Sequence, residues 1–524
     1  MAISITFNYI NDGGTGTGAS DWYYLNPNAM AGGLGNDVYE VNASSGLITE
    51  NVNEGTDKVI SSIDYTLGAN VENLTLNAAG LTGTGNALNN VMQGTSGTDT
   101  LEGGLGNDTY YATMGDTIIE SGLTAGGIDT VASTASYNLT HLARSDANYD
   151  SIENITLLGN ARNAIGNGAD NTLTGNSANN ILNGKAGADT MIGGEGNDIY
   201  VVDNTGDTIV ETGVASLYNN QDMVYVSINN YNMSANANNV EKAAFFGVNN
   251  LNIIGNDLDN TFIIDDVTNG VSDGGNGTDL VVSSVDYDLG LGSNVENLTL
   301  TAAGLTGTGN ELGTVMRGTG GTDTFAGGLG DDTYYVTRGD TIIETGLTAG
   351  GIDTVVSTSS YNLTHLARSD ANYDSVENIT LLGYARSNAI GNGADNTLTG
   401  NGANNILNGK AGDDTLDGGG GNDILYGDSG ADTFVFSSIL NKGTRDQVLD
   451  FNSTDGDKIG LSADIFSNIT DASTAMSDGF ISQSGGMLYY DAAGTGVDGA
   501  GVAFAQIMNA VALTDGLNSD FVMV

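Results

Sequence analysis

Aspartate and asparagine recur at a nine-residue spacing between residues 391 and 435, and their side-chain oxygens are suited to binding a metal ion. The five consecutive segments read GNGADNTLT, GNGANNILN, GKAGDDTLD, GGGGNDILY and GDSGADTFV. The sixth position is asparagine in the first two segments and aspartate in the last three: Asn396, Asn405, Asp414, Asp423 and Asp432. Carboxylates and backbone carbonyls are ligands that Ca²⁺ prefers, at roughly 6–8 oxygens per ion. The pattern predicts that aspartate segments bind Ca²⁺ and that asparagine segments stack without metal.

The glycines around these residues predict turns, and the apolar residues that follow predict short strands. Glycine occupies the first and often the fourth position, and it tolerates backbone angles that other residues avoid. The eighth position is apolar, so the middle side chain of each short strand should point inward. Two segments would form one coil, and coils stacked at about 4.8 Å would form an all-β fold, a parallel β-roll or β-solenoid. A flexible glycine-rich linker is the alternative, but it has no reason to keep an apolar residue at every ninth position.

The same segments occur elsewhere in the chain and supply further candidate ligands. Because units two apart would lie on one edge of the roll, we expect Asp414 to face Asp432 and Asn405 to face Asp423. Stacked glycine turns would contribute carbonyl oxygens, and the aspartates would contribute charge. The predicted metal-binding residues are Gly32, Gly35, Asp37, Asp99, Gly103, Gly106, Asp108, Asp189, Gly193, Gly196, Asp198, Gly274, Gly277, Asp279, Asp323, Gly327, Gly330, Asp332, Gly409, Gly412, Asp414, Gly418, Gly421, Asp423 and Asp432.

This pattern resembles the RTX repeat, GGxGxDxUx, in which U is an apolar residue. The C-terminal region strengthens the resemblance, because DQVLDFNSTDGDKIGLS from Asp446 and MLYYDAAGTG from Met487 are similar to the C-terminal domain of RTX proteins exported by type 1 secretion. The stretch from Asp520 to Val524 resembles the export signal of that family. The resemblance implies export of an unfolded chain from a Gram-negative-type cell, followed by folding when external Ca²⁺ fills the turns.

The composition is strongly acidic and restricts the classes of partner. The chain has 524 residues, 79 of them glycine, and 64 acidic residues against 13 Lys plus Arg give a formal charge of −51. Such a surface excludes binding to nucleic acid or to anionic membranes, both of which need basic groups. There is no cysteine, which excludes disulfides and a thiolate-bound zinc. No apolar stretch approaches the roughly 20 residues of a membrane span, and we expect no Sec-type signal at the N-terminus.

Segments between the nonapeptide blocks predict wider coils of the same stack. They share the motif Val/Ile-Glu-Asn, at Val71, Ile152, Val295 and Val376, and the motif GDTI-x-E, from Gly115, Gly206 and Gly339. Residues 57–193 and 279–418 are nearly identical in sequence. This duplication predicts two similar halves in tandem and a quasi-periodic rod. We expect an N-terminal cap with the first turn at 1–56, solenoid halves at 57–278 and 279–435, and a secretion-associated domain at 436–524.

A duplicated loop, NLTHLARSDANYDS, is the conspicuous candidate for a different chemistry. Its two copies carry His141, Arg144, Asp146, Tyr149, His365, Arg368, Asp370 and Tyr373. Three interpretations stay open: a site acting on polysaccharide, a lateral contact between the arginines and acidic faces of neighbours, and plain surface. Neither histidine belongs to an HExxH motif, so the zinc-protease signature is absent.

These observations predict a structural protein rather than an enzyme. We expect it to be secreted, to depend on calcium, and to self-assemble at or outside the cell surface as an S-layer lattice or an extracellular filament. Gram-negative S-layer proteins that this chain resembles use RTX repeats and type 1 export. Its partners would be further copies of itself and the type 1 secretion machinery, with cell-surface polysaccharide as a further candidate. The alternatives are a monomeric adhesin or biofilm-matrix protein, and a polysaccharide-modifying enzyme.

Overall fold

The structure of the chain is a computed structural model. It describes residues 8–11, 20–24, 30–42, 48–95, 97–113, 115–120, 127–141, 151–211, 221–247, 249–272, 276–344, 350–365, 376–439, 443–495, 501–509, 512–515 and 519–524. They group into two compact units, the first drawn from Met1–Thr261, Thr268–Gly270 and Gly274–Gly277, and the second from Phe262–Val267, Val271–Asp273 and Thr278–Val524.

The first unit consists of coils whose strands stack in parallel sheets. One sheet contains Asn8–Asn11, Asp21–Tyr24, Val38–Val41, Lys58–Ser61, Asn73–Leu76, Val91–Gly94, Thr109–Tyr111, Thr130–Ser133, Asn154–Leu157, Thr172–Thr174, Thr190–Ile192 and Thr208–Val210. A second contains Tyr65–Thr66, Thr82–Thr84, Thr100–Glu102 and Thr117–Ile119. Further strands are Tyr137–Asn138, Asn163–Ile165, Ile181–Asn183, Ile199–Val202, Met223–Val226, Tyr231–Asn232, Lys242–Phe245 and Asn252–Ile254.

The second unit repeats this arrangement. Its longest run of parallel strands is Leu280–Ser283, Asn297–Leu300, Val315–Gly318, Thr333–Val336, Thr354–Ser357, Asn378–Leu381, Thr397–Thr399, Thr415–Asp417, Thr433–Phe436, Lys458–Leu461 and Phe521–Met523. Its other strands are Tyr287–Asp288, Thr306–Thr308, Thr324–Ala326, Thr341–Ile343, Tyr361–Asn362, Asn388–Ile390, Ile406–Ala411, Ile424–Ser429, Asp446–Val448, Ile481–Ser484, Met487–Tyr490 and Val502–Ile507. The strands Thr261–Ile264 and Gly270–Ser272 contain residues of both units.

Helical structure in the described part of the chain is limited to single turns. These are the α-helix Met233–Asn236 and the 3₁₀ turns Leu139–His141, Leu363–His365 and Ala472–Thr474. Among the described residues there is no helix of the length and hydropathy needed to cross a membrane.

The core is a ladder of single inward-pointing side chains, one from each short strand. Leu173 pairs with Met191 in the next coil, and Met191 pairs with Ile209. All three side chains are buried, while their strand neighbours are partly or fully exposed, as expected for strands with period two. The predicted all-β parallel solenoid is therefore confirmed, including the step of one coil for every two nonapeptides.

The wider coils predicted between the nonapeptide blocks belong to the same parallel stack. Thr109 pairs with Thr130, Thr130 with Asn154, and Asn154 with Thr172, so two wider coils lie between a nonapeptide coil on either side. Within the segment predicted as the N-terminal cap, the described strand Asn8–Asn11 pairs in parallel with Asp21–Tyr24. The four domain boundaries stay predictions.

The C-terminal region departs from the parallel pattern. The strands Ile481–Ser484 and Met487–Tyr490 form an antiparallel hairpin, and Met487–Tyr490 is antiparallel to Val502–Ile507. In the same region, the rings of Phe436 and Phe466 each pack edge to face against Phe504. The segment predicted as an export signal forms the strand Phe521–Met523, parallel to Lys458–Leu461. Its export role stays a prediction.

Candidate calcium sites

The turn from Gly103 to Asp108 explains why glycine recurs at fixed positions. Gly104 and Gly106 have φ values of 102° and 113°, a region that other residues rarely adopt. A Cβ atom on Gly103 would overlap the carboxylate of Asp108, so the first position must be glycine for the sixth-position side chain to fold inward. The sequence thus forces the aspartate carboxylate into the interior of the turn.

Each inward carboxylate is tied to the neighbouring coil by one of its two oxygens. The backbone N–H of Asp108 donates to Asp129 Oδ1 at 2.7 Å, and the N–H of Asp129 donates to Glu153 Oε2 at 2.7 Å. We call such a series a carboxylate ladder. The glutamate of the Val/Ile-Glu-Asn motif ends the ladder in four places, through Glu72, Glu153, Glu296 and Glu377.

The residue pairs predicted to face each other are adjacent. The N–H of Asp414 donates to Asp432 Oδ1 at 3.0 Å, and the N–H of Asn405 donates to Asp423 Oδ1 at 2.7 Å. This confirms that segments two apart lie on one edge of the roll.

The other carboxylate oxygen is available for an ion. Within the described part of the chain, a buried Oδ2 without a hydrogen-bond partner is found in Asp37, Asp99, Asp108, Asp129, Asp189, Asp198, Asp222, Asp323, Asp332, Asp353, Asp414 and Asp423. Burial raises the pKa of Asp189 to about 7 and that of Asp414 to about 7, because the charged form loses its hydration. Buried oxygens that lack a donor fit a hard divalent cation, which supplies the missing positive charge.

Asparagine at the sixth position satisfies the turn without a cation. Asn180 Oδ1 accepts the backbone N–H of Asn176 at 2.7 Å, and Asn180 Nδ2 donates to the carbonyl of Ala161 in the preceding coil at 2.9 Å. The same arrangement recurs at Asn90, Asn171 and Asn396. An amide can donate where a carboxylate cannot, so these hydrogen bonds support the prediction that asparagine turns stack without metal.

The structure places the predicted ligands as follows. The aspartates at positions 37, 99, 108, 189, 198, 279, 323, 332, 414, 423 and 432 are buried at the turns. The fourth-position glycines all have positive φ: Gly35, Gly106, Gly196, Gly330, Gly412 and Gly421. A Cβ atom on any of the last five would overlap the backbone of the adjacent coil. Gly277 lies against the backbone of Leu258. Gly274 lies outside the described residues, as do Arg144, Asp146, Tyr149, Arg368, Asp370 and Tyr373 of the duplicated loops. The assignment of individual ligands stays a prediction.

Sequence reasoning missed a second set of buried acids. Three carboxylates converge in each of four groups: Asp37, Glu50 and Asp57; Asp108, Glu120 and Asp129; Asp198, Glu211 and Asp222; and Asp332, Glu344 and Asp353. The GDTI-x-E motif contains three of the glutamates, but the motif alone indicates only a strand followed by a polar residue. The available signal was that each glutamate follows a tyrosine at the eighth position of a GGxGxD segment.

Comparison with known proteins agrees with this geometry. A sequence profile described as RTX calcium-binding nonapeptide repeat (4 copies) matches residues 84–119, 165–200, 308–343, 390–409 and 399–434. These ranges coincide with the nonapeptide coils and their inward aspartates. The chain therefore contains RTX calcium-binding nonapeptide repeats within these ranges.

One curated relative is similar over a short stretch. Endo-1,3-1,4-beta-glycanase ExsH of Rhizobium meliloti (strain 1021) is 40% identical over 72 residues. The matched stretch is 14% of this chain and spans only 16% of the length of that protein.

Proposed function

We propose that the chain is a secreted, calcium-dependent structural protein that assembles with copies of itself at or outside the cell surface, as an S-layer lattice or a filament. The observation that carries this proposal is the repetition of carboxylate ladders along both units. Among the described residues, buried carboxylate oxygens without a hydrogen-bond donor recur from Asp37 to Asp423 instead of gathering at one cleft. Such a design uses the ion to stabilise a long repetitive surface, as expected of a structural element.

The same ladders support the proposal that the protein is secreted. Extracellular calcium-binding modules work with dissociation constants on the order of 10⁻⁴–10⁻³ M, which the external medium can saturate. A chain that is unstable without the ion would stay unfolded inside the cell and fold outside. The type 1 secretion machinery, which takes unfolded RTX proteins, is therefore the partner that we expect for export.

Exposed apolar side chains at equivalent turns within each of the two units support self-association. Leu105 and Leu329 occupy the third position of equivalent turns, and Ile128 and Ile352 lie in the coils that follow. The exposed fractions are 46%, 42%, 58% and 60%, respectively. Large apolar side chains that stay exposed at equivalent places favour contact with another protein surface, and an identical chain offers the same spacing.

Electron microscopy of the purified full chain tests the proposal. With millimolar Ca²⁺ we expect ordered sheets or fibres, and with excess chelator we expect them to disperse. The double variant Leu105→Ser, Leu329→Ser should assemble less readily, whereas Val267→Ser, at an exposed residue outside this series, serves as the control. Dispersed single particles at millimolar Ca²⁺ would contradict self-assembly and favour a monomeric adhesin or biofilm-matrix protein.

A polysaccharide-modifying enzyme is the second candidate, and the 72-residue match to a glycanase favours it. That match covers a small part of both proteins, so the activity of the relative need not extend to this chain. The residues to test are His141 and His365 of the duplicated loops. Depolymerisation of a β-glycan that is lost in the His141→Ala, His365→Ala variant, with calcium-dependent folding intact, would support the enzyme.

A further inference from the structure

Four buried clusters, each of three carboxylates and one tyrosine, recur along the chain, three of them in the first unit and one in the second. We call them tyrosine–carboxylate clusters. In every cluster the tyrosine is fully buried and the three acidic side chains are buried. The members are Tyr39, Asp37, Glu50 and Asp57; Tyr110, Asp108, Glu120 and Asp129; Tyr200, Asp198, Glu211 and Asp222; and Tyr334, Asp332, Glu344 and Asp353.

The glutamate of each cluster stands where other coils have glycine. Strand Thr190–Ile192 pairs in register with Thr208–Val210, so Glu211 occupies the place that Gly193 occupies one coil earlier. The Tyr200 hydroxyl donates to the Glu211 carboxylate, and the same bond joins Tyr110 to Glu120 and Tyr39 to Glu50. The tyrosine side chain at the eighth position is long enough to reach the turn. The leucine that occupies this position in other nonapeptides is too short.

The carboxylates of a cluster lie too close together to be stable as bare charges. Their ligand atoms are all within 4.8 Å of one another. Asp198 and Asp222 each have a buried Oδ2 atom, and within the described residues these oxygens have no hydrogen-bond partner. The ion pair between Lys410 and Asp428 lies outside the four clusters. Like charges at this distance in a buried site require a bound cation or a proton.

We propose that each tyrosine–carboxylate cluster is an interior Ca²⁺ site that differs from the nonapeptide turn sites by a third carboxylate, supplied by the glutamate. Turns such as that of Asp414 and Asp432 have glycine at the first position and offer two carboxylates. Calcium affinity rises with the number of charged ligands and the rigidity of the site. The four clusters therefore bind the four tightest ions, and this assignment does not depend on self-assembly.

The chemistry of the cluster favours Ca²⁺ over other cations. The potential ligands are all oxygen atoms, which selects a hard ion and disfavours zinc or copper. Mg²⁺ keeps several water molecules and demands an octahedral shell, which is difficult in an interior lined by Tyr200 and Gly193. Ca²⁺ tolerates irregular shells that mix carboxylate and backbone oxygens.

Calcium titration of the full chain against a chelator of known affinity tests the proposal. Glu211→Gln removes one charge from a cluster while keeping the shape of the side chain. We expect the tightest class to lose one ion, or that ion to bind on the order of tenfold more weakly. Glu195→Gln is the matched control, because Glu195 lies exposed on the turn that contains Asp198 and its loss removes the same charge. A tight class that is unchanged in Glu211→Gln, or equally reduced in Glu195→Gln, would overturn the proposal.

A second measurement covers the case in which Glu211→Gln fails to fold. Tb³⁺ replaces Ca²⁺ and emits strongly when a neighbouring tyrosine transfers its excitation energy. In a Trp22→Phe background, which removes the single tryptophan, the first Tb³⁺ ions bound should be sensitised. Tyr200→Phe should lower that emission, whereas Tyr287→Phe, at a buried tyrosine outside the clusters, should not. First ions that bind without sensitised emission would count against an interior site.

Discussion

At the scale of single residues, the choice between aspartate and asparagine at the sixth position decides whether a turn needs an ion. Asn180 and Asp198 occupy the same place in consecutive coils, and the N–H of Asn180 donates to Asp198 Oδ1 at 2.7 Å. The Asn180 side-chain amide donates a hydrogen bond to the Ala161 carbonyl. By contrast, Asp198 Oδ2 is buried and has no hydrogen-bond partner within the described structure. A difference of one atom type therefore separates a self-sufficient turn from a turn that requires a cation.

We therefore predict that Asn180→Asp makes a metal-free turn into a calcium-dependent one. Without Ca²⁺ the new carboxylate would face the Ala161 carbonyl, and the loss of a buried donor should reduce the free energy of unfolding by about 1–3 kcal/mol. With Ca²⁺ the variant should bind more metal than the wild-type chain. Chelator-controlled denaturant unfolding and calcium stoichiometry measure the two effects.

The neighbouring Asn179→Asp variant is the control for added charge. Asn179 is exposed, and its Oδ1 accepts the N–H of Asn197 at 3.1 Å, a bond that a carboxylate can also accept. The stability of this variant should stay near that of the wild-type chain. Equal losses in both variants would mean that general repulsion, not the lost amide donor, is the cause.

The residues of the candidate sites could be predicted from the sequence only where they belong to a local repeat. Asp108 is recognisable because its nonapeptide fixes its place within the turn. Glu120 could not be assigned to the same site, because its contact with Asp108 depends on how one coil stacks on the next. The sequence shows that Glu120 ends a strand motif and follows Tyr110, but it does not show that the two side chains form a hydrogen bond in the interior.

At the scale of elements, the coil is the unit of the fold, and the register between coils fixes every ladder. Thr397 pairs with Thr415, and Thr415 pairs with Thr433, one coil apart each time. This spacing follows from the nine-residue period, so the parallel sheets could be predicted. The antiparallel hairpin at Ile481–Ser484 and Met487–Tyr490 could not, since its residues lie beyond the last repeat and lack that period.

Removal of one complete coil should therefore be tolerated. Deletion of residues 409–426 joins Asn408 to Gly427 and leaves the order of glycines, aspartates and inward apolar residues unchanged. We expect a folded, calcium-dependent chain that binds fewer ions because Asp414 and Asp423 are lost. Circular dichroism with and without Ca²⁺, together with calcium stoichiometry, gives the measurement.

A slightly longer deletion is the control. Deletion of 409–428 also removes two residues of the next turn, which can then no longer reverse the chain before Thr433–Phe436. The following strands should lose their register, and the calcium-induced change in circular dichroism should shrink. If both deletions behave alike, the coil is not the unit of stability.

At the scale of the whole molecule, negative charge is the property that the cations must offset. The formal charge is −51, and many of the carboxylates are buried instead of lying at the surface. Burial raises the pKa of Asp129 to about 7, that of Asp222 to about 7 and that of Asp353 to about 7, with nearby carboxylates adding to the effect. Without metal, such groups favour protons over ionisation, and the folded state holds more protons than the unfolded chain.

The stability of the metal-free protein should therefore fall as the pH rises. In an unfolded chain, aspartate has a pKa of roughly 3.9, so between about pH 4 and pH 7 the folded state binds more protons than the unfolded state. The stabilising effect of these protons is complete below the pKa of the unfolded chain, roughly 3.9. It is lost as the pH rises through the raised pKa of groups such as Asp129, which is about 7 in the folded state. Thermal unfolding in chelator should therefore give a midpoint that rises as the pH is lowered from about 7 to about 4.

Saturating Ca²⁺ should reverse this trend, because the ion binds the deprotonated carboxylates and its affinity rises as they ionise. Midpoints measured in millimolar Ca²⁺ should increase from pH 5 to pH 7.5, and the gap to the chelated sample should widen over the same range. High NaCl is the control for general repulsion, since it screens exposed charges far more than buried ones. A metal-free midpoint that rises with pH, or a gap removed by salt alone, would show that surface charge rather than the buried ladders controls folding.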